Sequence, residues 1–230
     1  MLIYDVGMAE GDDTIYYLKK GARVVAIEAN PEVCEFTRQK FHDAIESKQL
    51  IILNLAVGET DAESVTFFIN DKHLRGSSLA RPANPQARQV QVPLRRLSTL
   101  FDEYGEPDFV KIDVENYDHV ILRELRKSGR IPKHLSAEAH NFAVIEELIR
   151  CEFQQFRMVN AAISHKRFKS HPIEGPQERQ TYSFPPHSSG PFGADLPDPW
   201  VNSEKMVANW LLRHSLHGRG WYDIHAVRSP

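Results

Sequence analysis

Apolar residues fall along this chain in short blocks of two kinds. Leu2 to Val6, Val24 to Ile27 and Leu50 to Val57 are apolar runs of strand length, the last ended by Gly58. Between them the spacing becomes that of a helix face. The residues after Gly11 form one such stretch, and Glu32 to Ile45 form another, with Val33, Phe36, Phe41 and Ile45 on one side. Val65 to Ile69 and Val90 to Leu94 then read as strands flanking a polar turn, Arg75-Gly76-Ser77-Ser78-Leu79, which makes a hairpin set into the alternation.

The alternation resumes with a helix at Leu97 to Tyr104, a strand at Phe109 to Glu115, and a helix at Asn116 to Lys127 whose apolar side is Val120, Ile121 and Leu125. A strand at His134 to His140, a helix at Phe142 to Arg150 and a strand at Phe153 to Asn160 follow. From Ser164 to Trp200 the period is lost among basic residues, prolines and glycines. Tyr182, Phe184, Phe192 and Trp200 within that run favour an ordered cover over a linker. Ser203 to His214 is a last helix and Gly220 to Ala226 a final strand.

Strands alternating with helices predict an α/β fold, a doubly wound, mostly parallel sheet of seven strands that is Rossmann-like, with an inserted hairpin. The last strand is expected to enter antiparallel, and ligand to bind at the carboxyl ends where strand order reverses. The expected organisation is one domain over residues 1–230. Residues 1–163 form a cofactor-binding core, 164–200 a cover loop over the substrate, and 201–230 the final helix and strand.

Length and charge narrow the classes. A chain of 230 residues suits one sizeable core. A net charge of -3 and a pI near 6.4 give no global reason to expect nucleic acid as a partner. Cys34 and Cys151 lie on helical stretches without metal or redox spacing, the pattern of reduced thiols in a cytoplasmic protein. No apolar run approaches the roughly 18 residues of a membrane span, and the first residues lack the regions of a signal peptide. The sequence enters a core strand at once, so a substrate cover is expected from later in the chain or from a partner chain, which leaves a homo-oligomer open.

The chemistry begins at Asp5-Val6-Gly7 and Gly11. A nucleoside cofactor laid over a parallel sheet needs a loop without side chains. It also needs a carboxylate at the tip of the next strand, about 20 residues on, to accept from the ribose hydroxyls. Gly7, Gly11 and Glu28 meet both conditions. The glycines are spaced G-x-x-x-G rather than G-x-G-x-x-G, and Glu10, Asp12 and Asp13 crowd the helix entrance. Three carboxylates there would repel a pyrophosphate but suit an ammonium and a sulfonium. The loop therefore reads as a site for S-adenosylmethionine (SAM) rather than NAD. The plainer reading, Asp12 or Asp13 capping the helix, is compatible with it.

A second constellation lies further on. Lys111-Ile112-Asp113-Val114-Glu115 sets two carboxylates at i and i+2, on one face if the strand runs that far, and Glu138-Ala139-His140 repeats the arrangement on the next strand. Four ionisable groups are thus expected at the carboxyl edge beside the cofactor. The alternative is that Glu115 and Glu138 are surface charges and His140 a capping or packing histidine.

Taken in order, Asp5-Val6-Gly7 with Gly11, Glu28-Ala29-Asn30-Pro31, Asn54-Leu55-Ala56-Val57, Gly76-Ser77-Ser78-Leu79 and Lys111 to Glu115 resemble the FkbM-type SAM-dependent methyltransferases over residues 1–140. The resemblance implies a class I methyltransferase fold and O-methylation of hydroxyls on sugars, glycans or secondary metabolites. It also implies that Gly7 and Gly11 line the methionine side, Glu28 holds the ribose, Ala56 lies near the adenine and Asp113 sits near the transferring methyl, with Asp5 and Asn30 in the same site. Where the family has glycine after the D-V-E triplet, this chain has Asn116, which tolerates a left-handed backbone.

The expected chemistry is in-line methyl transfer to an acceptor hydroxyl, with Asp113 or His140 taking the proton and Glu115 and Glu138 orienting. Magnesium or manganese held by Asp113, Glu115, Glu138 or His140 is the rival within the class, and His214 with His217 is a weaker metal pair. An NAD-dependent oxidoreductase and a non-catalytic nucleotide-binding module are the alternatives outside it. Base-amine methylation of nucleic acid is disfavoured, because Asp113-Val114-Glu115-Asn116 stands where D/N-P-P-Y would. The basic run His165 to Lys169 reads either as a receiver of an anionic acceptor or as a solvated face.

Overall fold

The computed structural model describes residues 1–71, 76–80, 87–174, 179–217 and 220–228, with backbone only at 174, 179 and 214–217. Arg75 of the polar turn and the side chains of the His214–His217 pair therefore lie outside the described residues. The first βαβ unit is β1 (Leu2–Val6), α1 (Asp12–Lys19) and β2 (Arg23–Glu28). α2 (Pro31–Lys40), α3 (His42–Glu46) and β3 (Leu50–Asn54) follow. A second, three-stranded sheet holds β4 (Ala56–Val57), β5 (Ala62–Ile69) and β6 (Arg88–Arg95). The alternation then runs through α4 (Leu97–Tyr104), β7 (Phe109–Ile112), α5 (Asp118–Ser128), β8 (His134–Glu138), α6 (Phe142–Arg150) and β9 (Gln155–Asn160). α7 (Ser164–Arg167), the hairpin β10 (His171–Glu174) and β11 (Arg179–Tyr182), α8 (Ser203–His217) and β12 (Tyr222–Val227) complete it.

The central sheet has seven strands in the order β3-β2-β1-β7-β8-β12-β9. The first five are parallel, and β12 enters antiparallel between β8 and β9, as its late arrival suggested. This is the doubly wound architecture the alternation predicts. The order reverses between β1 and β7, which places the crevice at their carboxyl ends. One sheet face packs aliphatic residues of α4, α5, α6 and α8. The other is rich in aromatic rings: Tyr16 and Tyr17 of α1 and Phe109 of β7 meet Phe168, Tyr182, Phe184 and Phe192 from the 164–200 segment. That segment is ordered by burying these rings.

Four boundaries differ from the sequence reading, each for a local reason. The 32–45 helix breaks at Phe41, whose backbone leaves helical geometry so that its ring tucks beneath Gly11; a Cβ on Gly11 would stand 2.5 Å from it. Phe36, expected on the buried side, is instead 54% exposed. The 50–57 strand divides at Leu55, because the Asn54 side-chain amide donates to the carbonyls of Glu28 and Ala29, both at 3.0 Å, and tethers the end of β2, while β4 turns away to pair with β6. The strand at Phe109 stops at Ile112, since Glu115 and Asn116 both take left-handed conformations with φ of 49° and 69°. Asn116 thus makes the turn expected of it, and α5 starts only at Asp118. Likewise β8 stops at Glu138, and His140 lies past the strand end. Both thiols are buried, Cys34 on α2 and Cys151 at the end of α6.

Candidate active site

A cavity of about 820 Å³ opens at the carboxyl ends of β1, β2 and β7, within the size range of small-molecule and cofactor sites. On one side it is lined by Gly7, Ala9 and Glu10 of the loop after β1, by Glu28 and Ala29, and by the apolar run Leu55-Ala56-Val57. Gly7 has φ +81°, and its missing Cβ leaves room for the backbone carbonyl of Asp113, which a side chain would overlap. The glycine therefore lets the loops after β1 and β7 close on one another.

Glu28 is fixed from both ends. Its Oε2 accepts from the Ala9 N–H at 3.1 Å and its Oε1 from the Asn30 N–H at 2.7 Å. Burial pushes its carboxyl up to about 7 against the pull of those backbone donors. A carboxylate has about four lone-pair positions, so two remain for a ribose diol. Asn30 itself caps α2, its Oδ1 accepting from the Glu32 N–H, and is buried behind the cavity wall rather than in it.

Asp5 and Asp13 belong to a buried group beneath the cavity. Lys111, 4% exposed, reaches Asp113 at 3.2 Å, Asp13 at 3.4 Å and Asp5 at 3.7 Å. Burial alone would lower its ammonium; Asp113, Asp5 and Asp13 hold it well above the ordinary value instead. Asp5, which accepts from the Thr14 hydroxyl at 2.6 Å, is pushed up to about 6 by burial against Lys111. Asp13 accepts from the Ser188 hydroxyl and, at 3.0 Å, from the Ser189 N–H. Of the three carboxylates crowding the start of α1, only Glu10 lines the cavity. The sequence reading placed all three before the ligand because it could not show Asp13 turned back onto the 164–200 segment.

Asp113, Glu115 and Glu138 all reach the cavity wall, and His140 stands behind the last two. Burial works upward on Asp113, yet Lys111 and a hydrogen bond from Glu138 hold it below the ordinary carboxylate value. Glu138 is pushed up to about 12 by burial and by Asp113, so it is a neutral donor to Asp113 at physiological pH. His140 Nε2 lies 2.8 Å from Glu138 Oε2 and 4.0 Å from Glu115 Oε2. Glu115, half-buried, is pushed up to about 7 by burial and by the charge of Asp113. Its left-handed backbone is anchored by the inserted hairpin, for the Ser78 hydroxyl donates to the Glu115 carbonyl at 2.8 Å. Phe67, Asp71, Gly76, Ser77 and Leu79 of that insertion line the same cavity, so the hairpin folds over the site.

Among the lining residues without a sequence signal are His187 and Trp221. The first lies in the aperiodic segment and the second just before β12, and neither belongs to a motif. The basic run 165–169 lies apart from the cavity lining, and its Arg167 pairs with Asp198 at 3.0 Å. Among the described residues no three His, Cys, Asp or Glu side chains are gathered as metal ligands, and no helix is long and apolar enough to cross a membrane.

A doubly wound sheet with a glycine turn after β1, a carboxylate at the tip of β2 and carboxylates beyond β7 defines a nucleoside-cofactor enzyme of the methyltransferase type. The chain belongs to the FkbM methyltransferase family, whose domain model matches residues 5–184, and it is a SAM-dependent methyltransferase. No curated protein matches it in sequence. Among solved structures it is similar to a precorrin-6y C5,15-methyltransferase from Geobacter metallireducens, at 11% identity and TM-score 0.44, covering 100% of this chain and 80% of that one. It is also similar to an O-methyltransferase from Bacillus cereus in complex with S-adenosylhomocysteine (SAH), at 10% identity and TM-score 0.40, covering 99% and 74%. At such identities and scores the likeness bears on neither substrate nor mechanism.

The residues fit SAM. Glu28, with two free lone-pair positions, would hold the ribose; Leu55, Ala56 and Val57 offer an apolar wall for the adenine; and Asp113 offers a fixed negative charge to the sulfonium. Gly11 supports this cradle through Phe41 rather than by lining it.

Proposed function

We propose that this chain methylates a hydroxyl oxygen of a sugar, glycan or secondary-metabolite acceptor, and that Glu115 takes the proton. Bound in the cavity, SAM supplies an activated methyl on a sulfonium. What remains for the protein is to hold the acceptor, exclude water and accept one proton.

The observation that carries the assignment is the contrast among the four ionisable groups. Asp113 is anionic but committed to Lys111 and Glu138, which makes it a weak base and a good counter-charge. Glu138 is already protonated. His140 is engaged with Glu138 and does not line the cavity. Glu115 is at the wall with its carboxyl near 7, where a general base works best. Glu115 is therefore the proposed proton acceptor, in place of the Asp113 or His140 expected from the sequence. Magnesium or manganese held by Asp113, Glu115, Glu138 or His140 is the rival within the class, and loss of activity in chelator restored by magnesium would favour it.

Glu115→Gln is expected to lower turnover about 100-fold while SAH affinity, measured by calorimetry, stays within twofold. The wild-type rate should rise through pH 7 and the variant's should not. Wild-type turnover in Glu115→Gln would overturn the assignment.

A further inference from the structure

The SAM site accounts for one side of the cavity and leaves the other unexplained. That other side takes its surface from residues beyond the family-matched stretch, His187 and Trp221. Both are set in place with some care. His187 is itself exposed at the cavity edge, but the backbone just after it is anchored. Ser188 and Ser189 are buried and bonded to Asp13, the Ser164 hydroxyl donates to the Ser189 carbonyl at 3.0 Å, and Gly190, with φ +96°, packs on Ser164. The anchor thus fixes where the exposed imidazole meets the cavity edge. Trp221 is half-buried, its carbonyl accepts from the Ala161 N–H at 3.0 Å, and its indole N–H is shielded from solvent with no acceptor among the described residues. A shielded donor without a partner is unfavourable unless a ligand completes it.

Among the described residues the charge of the wall is one-sided. Glu10, Glu28, Asp71, Asp113 and Glu115 line the cavity with the protonated Glu138 beside them, and among the described residues no lysine or arginine does. Two nearby cations among the described residues are already engaged. Lys111 is committed to its three carboxylates, and Arg88 binds Glu32 at 2.6 Å and Asp71 at 2.9 Å. Ionised carboxylates only accept hydrogen bonds, so they favour ligands rich in hydroxyl or ammonium donors and repel anions.

Resting on the methyltransferase reading above, we infer that His187 and Trp221 are acceptor contacts and that the cavity selects uncharged or cationic acceptors against anionic ones. The basic run 165–169 plays no part in this selection. The test uses the full chain saturated with SAH and three probes of one scaffold: methyl glucoside, its 6-amino-6-deoxy analogue and methyl glucuronide. Saturation-transfer NMR reads their binding.

The neutral and amino probes are expected to bind at least tenfold more tightly than the uronate. His187→Ala and Trp221→Leu should each weaken the neutral probe at least fivefold while SAH affinity holds within twofold. His187 is exposed, so its variant keeps the test valid if the Trp221 variant folds poorly. Equal or tighter binding of the uronate, no binding of the neutral probe to SAH-loaded protein, or indifference of both variants would overturn the inference. Failure of the wild-type chain to bind SAH would instead overturn the cofactor site on which it rests.

Discussion

The two sides of the cavity are made by different means. The β1–β2 side is a matter of backbone: a glycine whose absent Cβ admits the Asp113 carbonyl, and one carboxylate pinned by the Ala9 and Asn30 N–H groups. The facing side is a matter of side chains reaching across the fold, where Asp13 of α1 holds Ser188 from 175 residues away. A backbone-built wall tolerates no substitution at its turn but asks little of the rest of the chain. A side-chain-built wall depends on a charge balance that no single motif carries.

Three substitutions separate the two. Gly7→Ala should have the largest effect, since strain at φ +81° and overlap with Asp113 together cost about 4 kcal/mol. A urea midpoint equal to wild type would show that the loop yields. Lys111→Met attacks the other wall at its base by leaving Asp5, Asp13 and Asp113 without their cation, and should cost about 3 kcal/mol at pH 8. The loss should shrink toward pH 5 as Asp5, pushed up to about 6, takes up a proton. A melting difference that is flat with pH would mean the carboxylates are screened by other groups.

Glu28→Gln is the smallest in stability and acts on the ligand, weakening SAH about 10- to 100-fold through the lost charge-assisted hydrogen bonds. It carries a sign that can be checked. The folded value near 7 lies above the ordinary value of 4.5, so between those pH values the folded state binds the extra proton and wild-type stability falls as pH rises. The variant should therefore gain on wild type between pH 5 and pH 8. Wild-type SAH affinity should rise through the same window, because only the ionised carboxylate accepts from both ribose hydroxyls. Parallel stability curves would place the Glu28 carboxyl at its ordinary value.

The same contrast explains what could be read in the sequence. Gly7, Glu28 and the tolerant Asn116 declare themselves because a residue type at a strand end answers a backbone demand. The doubly wound parallel sheet follows from the alternation of strands and helices, and the antiparallel last strand from its late arrival. The break at Phe41 does not, since it depends on a ring fitting beneath a glycine far away in sequence. Nor does the commitment of Asp113 to Lys111: side chains at i and i+2 look equivalent in sequence, and their roles diverge only once burial and a protonated Glu138 are in place. His187 and Trp221 are illegible for the same reason, because they reach the cavity through anchors on other elements.

The position of β12 also orders events in time. Lying between β8 and β9, it is the strand that joins β9 to the central sheet. As the chain leaves the ribosome, the five parallel strands can assemble and form the cofactor wall while β8 still presents an open edge. β9 joins the sheet only when residues 222–227 arrive, and Trp221 comes to the acceptor wall with them. The cofactor wall therefore needs only strands that precede β9, whereas the Trp221 side of the cavity needs the strand inserted after it.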